Sequence, residues 1–219
     1  MRLPDRRAVQ QFQRRLLAWY TRHGRDLPWR RTRDPYRVLV SEIMLQQTQV
    51  DRVIPKYHQF LQRYPTFESL AAAPAADVLR AWRPLGYNVR PVHLQAIARE
   101  TLARYHGRLP SDPASLLALR GIGRYTAGAI RSFAFGQDAA ILDTNVRRVI
   151  GRVFLGRRGM AQVRGQRAYW TIAEALLPRG RSYDFNQALM DFGAVWCTPR
   201  KPRCPGCPMR AFCKSAGAI

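Results

Sequence analysis

Only three lysines, Lys56, Lys201 and Lys214, stand among the 37 basic residues of this 219-residue chain, and the acids number just 14. The other 34 cations are arginine. A net charge of +23 with a pI near 11.4 goes far beyond what solubility needs; it argues against an acid-seeking or cationic partner and for a polyanion. The preference for arginine suits bidentate contact with phosphate. No window approaches the uncharged apolar length that a transmembrane helix needs. The first 15 residues scatter charge and hold no apolar run, so they do not read as a secretory signal. The expected location is therefore intracellular, in the cytoplasm or nucleoid of a prokaryote. Strand-like alternation, internal repeats and low-complexity tracts are also missing, which leaves an all-α chain. Its length allows one large domain or two small ones with a proper core.

What is present centres on residues 119–149. Leu119-Arg-Gly-Ile-Gly123 sets two glycines one residue apart between two helical patterns. The first helix is expected from near Pro113 to Leu119, with Ser111 or Asp112 as N-cap and Pro113 in its first turn. The second should begin near Tyr125, with Ala127, Ile130 and Ala134 on one apolar face. Gly121 and Gly123 permit positive φ and close backbone approach, and the amides around Arg124 suit a phosphate oxygen. An ordinary turn has the same pattern. Asp143 follows the apolar run Ala139-Ala-Ile-Leu142 and reads as N-cap of a helix over 145–153, a role compatible with an ionised acid.

An amphipathic helix is expected over 6–20, with Val9, Phe12, Leu16, Leu17 and Tyr20 inward. Asp34-Pro35 then starts a helix over 36–50 that carries Glu42. With Val38, Leu39 and Leu45 around it, Glu42 reads as a semi-buried acid whose pKa desolvation would raise. Further helices are expected at 53–64, 66–72, 75–83 and 93–105. Leu85-Gly-Tyr-Asn88 reads as a tight turn in which Tyr87 is a core residue, although a turn aromatic can also wedge into a base stack. Residues 156–167 read as a mobile basic linker, and helices at 168–177 and 184–196 complete the chain.

All four cysteines, Cys197, Cys204, Cys207 and Cys213, lie within 17 residues, spaced C-x6-C-x2-C-x5-C. An intracellular setting argues against disulfides. Four thiolates can hold zinc or an iron–sulfur cluster; a zinc site usually shows two short knuckles, and only Cys204–Cys207 is one. Spacing alone leaves both open. Arg200, Lys201, Arg203 and Arg210 surround the loop, so it can press on a DNA backbone.

The 119–149 stretch resembles the helix-hairpin-helix and Gly/Pro-rich loop ending in aspartate of the DNA glycosylase superfamily that includes endonuclease III. Ser41-Glu-Ile-Met-Leu-Gln-Gln-Thr-Gln-Val50 closely resembles the adenine DNA glycosylase (MutY-type) motif. So do Leu27-Pro-Trp-Arg30, Gly121-Ile-Gly-Arg-Tyr-Thr-Ala-Gly-Ala-Ile130 and Leu142-Asp-Thr-Asn-Val146. The resemblance implies one HhH-GPD glycosylase unit over 1–219. Within it, a six-helix subdomain at about 30–140 carries the hairpin (111–135). A second helical subdomain (1–29 plus 141–219) carries the cysteine loop (197–213), and that cysteine spacing is the one these families use for a [4Fe–4S] cluster.

The same resemblance implies a monomeric, monofunctional glycosylase of base excision repair acting on mismatched or damaged double-stranded DNA. Glu42 would protonate adenine N7 and later assist the water, and Asp143 would stabilise an oxocarbenium-like sugar or bond to it transiently. Tyr125 and Asn145 would organise the pocket. Gln46 and Gln47 would fill the gap left by a flipped base, and Tyr87, Asn88, Gly121, Gly123 and Arg124 would meet DNA. Endonuclease III keeps its lyase lysine where this chain has Tyr125. Two departures touch the opposite base: Asn88 replaces a second tyrosine, and the C-terminal domain that helps read 8-oxoguanine is expected to be lacking. Asp184-Phe-Asn and Arg200-Lys-Pro-Arg-Cys204 also resemble archaeal thymine/uracil mismatch glycosylases. Three readings follow: excision of adenine opposite guanine or 8-oxoguanine; excision of thymine or uracil opposite guanine; and a non-catalytic iron–sulfur DNA-binding module.

Overall fold

The computed structural model describes residues 3–216, and among these every regular element is helical. No helix among them is long and apolar enough to cross a membrane. The chain forms two compact units, one of Asp26–Phe135 and one of Met1–Arg25 with Gly136–Ile219.

The first unit is built from seven α-helices, where six were expected: α2 Pro35–Leu45, α3 Val50–Arg63, α4 Phe67–Ala72, α5 Ala75–Trp82, α6 Val89–Tyr105, α7 Pro113–Ala118 and α8 Arg124–Phe133. In α2, Asp34 accepts from the Arg37 amide at 2.8 Å and Pro35 takes the first position, where a missing N–H costs nothing. From Val38 to Met44 every residue of α2 is buried, so this helix is wrapped rather than one-sided. It packs against α3, α6 and α8, and Leu39, Ile43, Phe60, Trp82, Leu94 and Ile130 form the middle of one continuous core.

Three expectations are corrected here. α2 stops at Leu45 instead of reaching Val50; Gln46 is extended and Gln47 turns left-handed at φ 54°. The local sequence carries no breaker. At the stop, the Arg90 guanidinium takes the carbonyls of Ile43, Met44 and Gln46 that a helix end leaves without partners. α6 starts at Val89, four residues before the expected His93, because proline is tolerated in a first turn and Pro91 sits there. Tyr87 is not core: it is 57% exposed, on the surface of the turn.

The second unit contains α1 Arg6–His23, α9 Thr144–Ile150, α10 Gly156–Gln162, α11 Arg167–Leu176 and α12 Ser182–Asp191. α1 buries Phe12, Leu16 and Trp19, while Val9, Leu17 and Tyr20 are only half-buried. Phe12 meets Phe154 and Phe185 edge-on at 5.1 and 6.1 Å, and Trp19 meets Phe192 at 5.1 Å. The buried Asp191 carboxylate accepts from the Arg25 amide and guanidinium, fastening the end of α1 to the end of α12. Of the basic stretch 156–167 expected as a mobile linker, residues 156–162 form helix α10. α9 and α12 each run on into a π turn, Gly151–Leu155 and Phe192–Trp196. Such turns concentrate at functional sites because they re-aim the backbone that follows.

Candidate active site and cysteine loop

Glu42 lies in the third turn of the wrapped helix α2 and is 4% exposed, so the sequence reading of a sheltered acid holds in geometry. Gln46 and Gln47 follow at the end of that helix, Gln46 half-buried and Gln47 exposed. Tyr87 and Asn88 are exposed in the next turn, and Tyr87, like Gln47, is a non-glycine residue at positive φ, here 48°. The first turns of α6 bring these segments and the glycine hairpin together. Arg90 bonds to carbonyls of both the 43–48 and 85–86 stretches, and His93 packs under Gly121.

The two hairpin glycines differ in what they do. Gly121 has φ 87°, and a Cβ there would stand 2.7 Å from His93 Nδ1; both facts demand glycine. Gly123 is extended, not positive in φ, and nothing lies within 4 Å of where its Cβ would be. Ile122 between them is buried and anchors the hairpin. Gly123 is the N-cap of α8 and no side chain caps that end; Arg124 is exposed and Tyr125 half-buried in the first turn.

Asp143 is the N-cap of α9, as expected. Its Oδ1 accepts from the Val146 amide at 2.6 Å, and its Oδ2 accepts from Asn145 Nδ2 at 2.9 Å. Burial pushes its carboxyl above the usual carboxylate range, while those two donors and the Arg148 charge pull it back. Arg148 extends the chain of contacts. Its Nη2 donates to Asn145 Oδ1 at 2.7 Å and to the Gly193 carbonyl at 2.6 Å, and its Nε donates to the Cys197 carbonyl at 2.8 Å. A Cβ on Gly193 would stand 2.7 Å from Asn145 Cβ, so only glycine lets the second π turn reach this close. Asp143, Asn145, Arg148 and Cys197 are thus one hydrogen-bonded string within one unit. Sequence reading missed Arg148 and Gly193, although Arg148 lies one helical turn past Asn145 and that spacing was visible.

The cysteine loop hangs from the two π turns. Arg152 donates to the carbonyls of Thr198 and Pro199 at 2.7 and 2.8 Å, and the Lys214 and Ser215 amides donate back to Val153 and Arg152. All four cysteines are half-buried free thiols. Burial and the charges of the other three push the Cys207 thiol up to about 11. Among the described residues no three Cys, His, Asp or Glu side chains close on a point tightly enough for a single metal ion. Four sulfur donors that feel one another's charge on one braced loop nonetheless suit a Cys₄-ligated group.

A family model described as HhH-GPD superfamily base excision DNA repair protein matches residues 40–170. The chain is 42% identical over 216 residues to the adenine DNA glycosylase of Homo sapiens, covering 94% of this chain and 40% of that one. It therefore spans about two-fifths of that relative's length. It is 39% identical over 199 residues to the thymine/uracil-DNA glycosylase of Methanothermobacter thermautotrophicus, covering 90% of each. Among solved structures it is similar to a thermostable thymine-DNA glycosylase, with TM-score 0.90, 36% identity, and 97% of this chain and 98% of that one covered. It also shares the fold of endonuclease III trapped on DNA, with TM-score 0.85, 22% identity and 99% of each chain covered.

Proposed function

Because the chain belongs to the HhH-GPD superfamily of base excision DNA repair proteins, we propose that it is a monofunctional DNA glycosylase. It would act as a monomer inside the cell on mismatched double-stranded DNA, removing adenine opposite guanine or 8-oxoguanine. The observation that carries this is a sheltered carboxyl, Glu42, inside an adenine-glycosylase-like motif of a chain that also keeps the capping carboxyl Asp143. Relatives named adenine DNA glycosylase at 38–43% identity support the choice of base.

Hydrolysis breaks the bond from the sugar C1′ to the base, and the electron pair leaves with the base. Glu42 gives the departing base its proton, which a carboxyl kept from water in apolar surroundings is suited to do. The positive charge left on the sugar is stabilised by the Asp143 carboxylate, as paired carboxyls do in glycoside hydrolysis. Water then adds to C1′ and returns its proton to Glu42. Asn145 holds Asp143 Oδ2, and Tyr125 shapes the pocket. The base must first leave the stack, at least cost where it is mispaired. Gln46, Gln47, Tyr87 and Asn88 work against the opened helix, and Gly121, Gly123 and Arg124 hold a phosphate at the start of α8. Cys197, Cys204, Cys207 and Cys213 would hold a [4Fe–4S] cluster, which supplies no step at the bond and braces a basic loop against the DNA backbone.

A second reading, thymine or uracil excised opposite guanine, is favoured by the end-to-end likeness to a relative of that name. End-labelled duplexes bearing each mismatch, incubated with the protein and then cleaved with alkali, separate the readings. Breaks at adenine opposite guanine or 8-oxoguanine are expected. Breaks only at thymine or uracil opposite guanine establish the second reading, and tight binding with no breaks leaves a DNA-binding module.

A further inference from the structure

A buried cation normally faces an anion, yet Arg90 is 4% exposed and faces backbone carbonyls. Its Nη1 shares its protons among the carbonyls of Ile43 at 3.1 Å, Met44 at 2.9 Å and Gln46, and the Thr48 hydroxyl at 3.1 Å. Its Nη2 donates to the carbonyls of Leu85 at 3.1 Å and Gly86 at 3.0 Å. The guanidinium also lies over the rings of Trp82 and Tyr87, each 5.4 Å from its centre.

These acceptors belong to two segments about 40 residues apart in sequence. One ends helix α2 and leads into Gln47; the other is the turn that presents Tyr87. Each presents one exposed side chain from a backbone at positive φ, 54° at Gln47 and 48° at Tyr87. Such conformations persist only where the surroundings over-determine them. Trp82 and Arg52 also bond to the carbonyls of Gly86 and Pro84, but Arg90 bonds into both segments at once. Lysine has one nitrogen and cannot reach both carbonyl sets, whereas the planar fork does.

We propose that Arg90 is a positioning residue that locks residues 46–48 and 85–88 into one rigid probe, so that opening the DNA at a mismatch depends on a side chain that stays buried. This rests on the reading above that both segments meet DNA. It makes Arg90 a determinant of discrimination between mismatched and matched duplex, separate from the residues that cut.

The full chain carrying Arg90→Lys, Arg90→Gln or Thr48→Val tests this, with a duplex that has 2-aminopurine beside the mismatch; its fluorescence rises when the stack opens. Thr48→Val removes one acceptor at a half-buried position and guards against loss of fold in the arginine variants. Arg90→Lys should lower both the fluorescence rise and the mismatched-to-matched affinity ratio by at least about tenfold, as losing two hydrogen bonds to a charged donor implies. Matched-duplex affinity should stay within about twofold, because surface arginines supply it. Thr48→Val should shift both quantities the same way by a smaller factor. Excision by Arg90→Lys should recover on a target base placed in a bulge, where little opening is needed; a general loss of fold would not recover. Folded variants with the wild-type fluorescence rise and affinity ratio, or an equal loss on matched and mismatched duplex, overturn the proposal. A wild-type protein that opens no mismatch overturns the reading beneath it as well.

Discussion

Asp143 serves two roles that conflict at neutral pH. As N-cap it satisfies the Val146 amide, but burial raises its pKa above the unfolded value near 3.8, so the folded protein holds its proton more tightly than the unfolded chain does. The charge therefore costs stability at neutral pH and costs nothing below the unfolded pKa. Asparagine caps helices as well as aspartate and cannot ionise. Asp143→Asn should accordingly melt higher than wild type near pH 7, and the difference should fade as the pH falls toward 4. Thermal melts of both proteins across that range check this, and a wild type that melts higher at pH 7 contradicts it. The excision rate of the wild type should fall with acidification at a pH above the ordinary carboxylate range, since the proposed function uses Asp143 as the anion. The burial of Glu42 and the capping by Asp143 were both legible in the sequence, because a carboxyl flanked by apolar helix neighbours and an acid before a helical run are local patterns. Arg90 was not: in a chain with 34 arginines, nothing local marks the one that is buried against backbone carbonyls, and for Arg148 the only local sign was its spacing from Asn145.

At the scale of elements, caps and prolines placed most helices to within a few residues, as at Asp34-Pro35 and Asp112-Pro113. At two of the misses a distant partner sits on the boundary. Arg90 takes the carbonyls where α2 ends, and helical periodicity through Gln46 to Val50 carried no sign of that. The π turns before Arg157 and before Cys197 were likewise invisible, since they are set by what packs against them, as Asn145 does against Gly193. Tyr87 was assigned to the core as an aromatic usually is, but a turn at positive φ turned it outward. The cysteine loop is where the proposed cluster would sit. Protein purified without oxygen should be brown and carry about four irons per chain, as a Cys₄ cubane requires. Cys204→Ser should lose the iron and lower solubility or DNA affinity. Stoichiometric zinc without iron would falsify the cluster assignment.

For the molecule as a whole, charge was the most legible property: +23 on 219 residues points to a polyanion before any fold is known. The all-α architecture and the family were legible too, because the motifs around Glu42, Gly121 and Asp143 combine over most of the chain. The choice of base is not decided by overall similarity, since relatives named for different bases match this chain at 42% and 39% identity. The central claim of the proposed function is that Glu42 and Asp143 are both needed to cleave a glycosidic bond, with no lysine nucleophile. Its most direct test is single-turnover excision on the best mismatch substrate by wild type, Glu42→Gln and Asp143→Asn, analysed with and without alkali. The wild type should give abasic strands that break only after alkali, and each variant should be slower by about a hundredfold or more while still binding duplex. Near-wild-type excision by either variant, or strands cut efficiently before alkali is added, would contradict it.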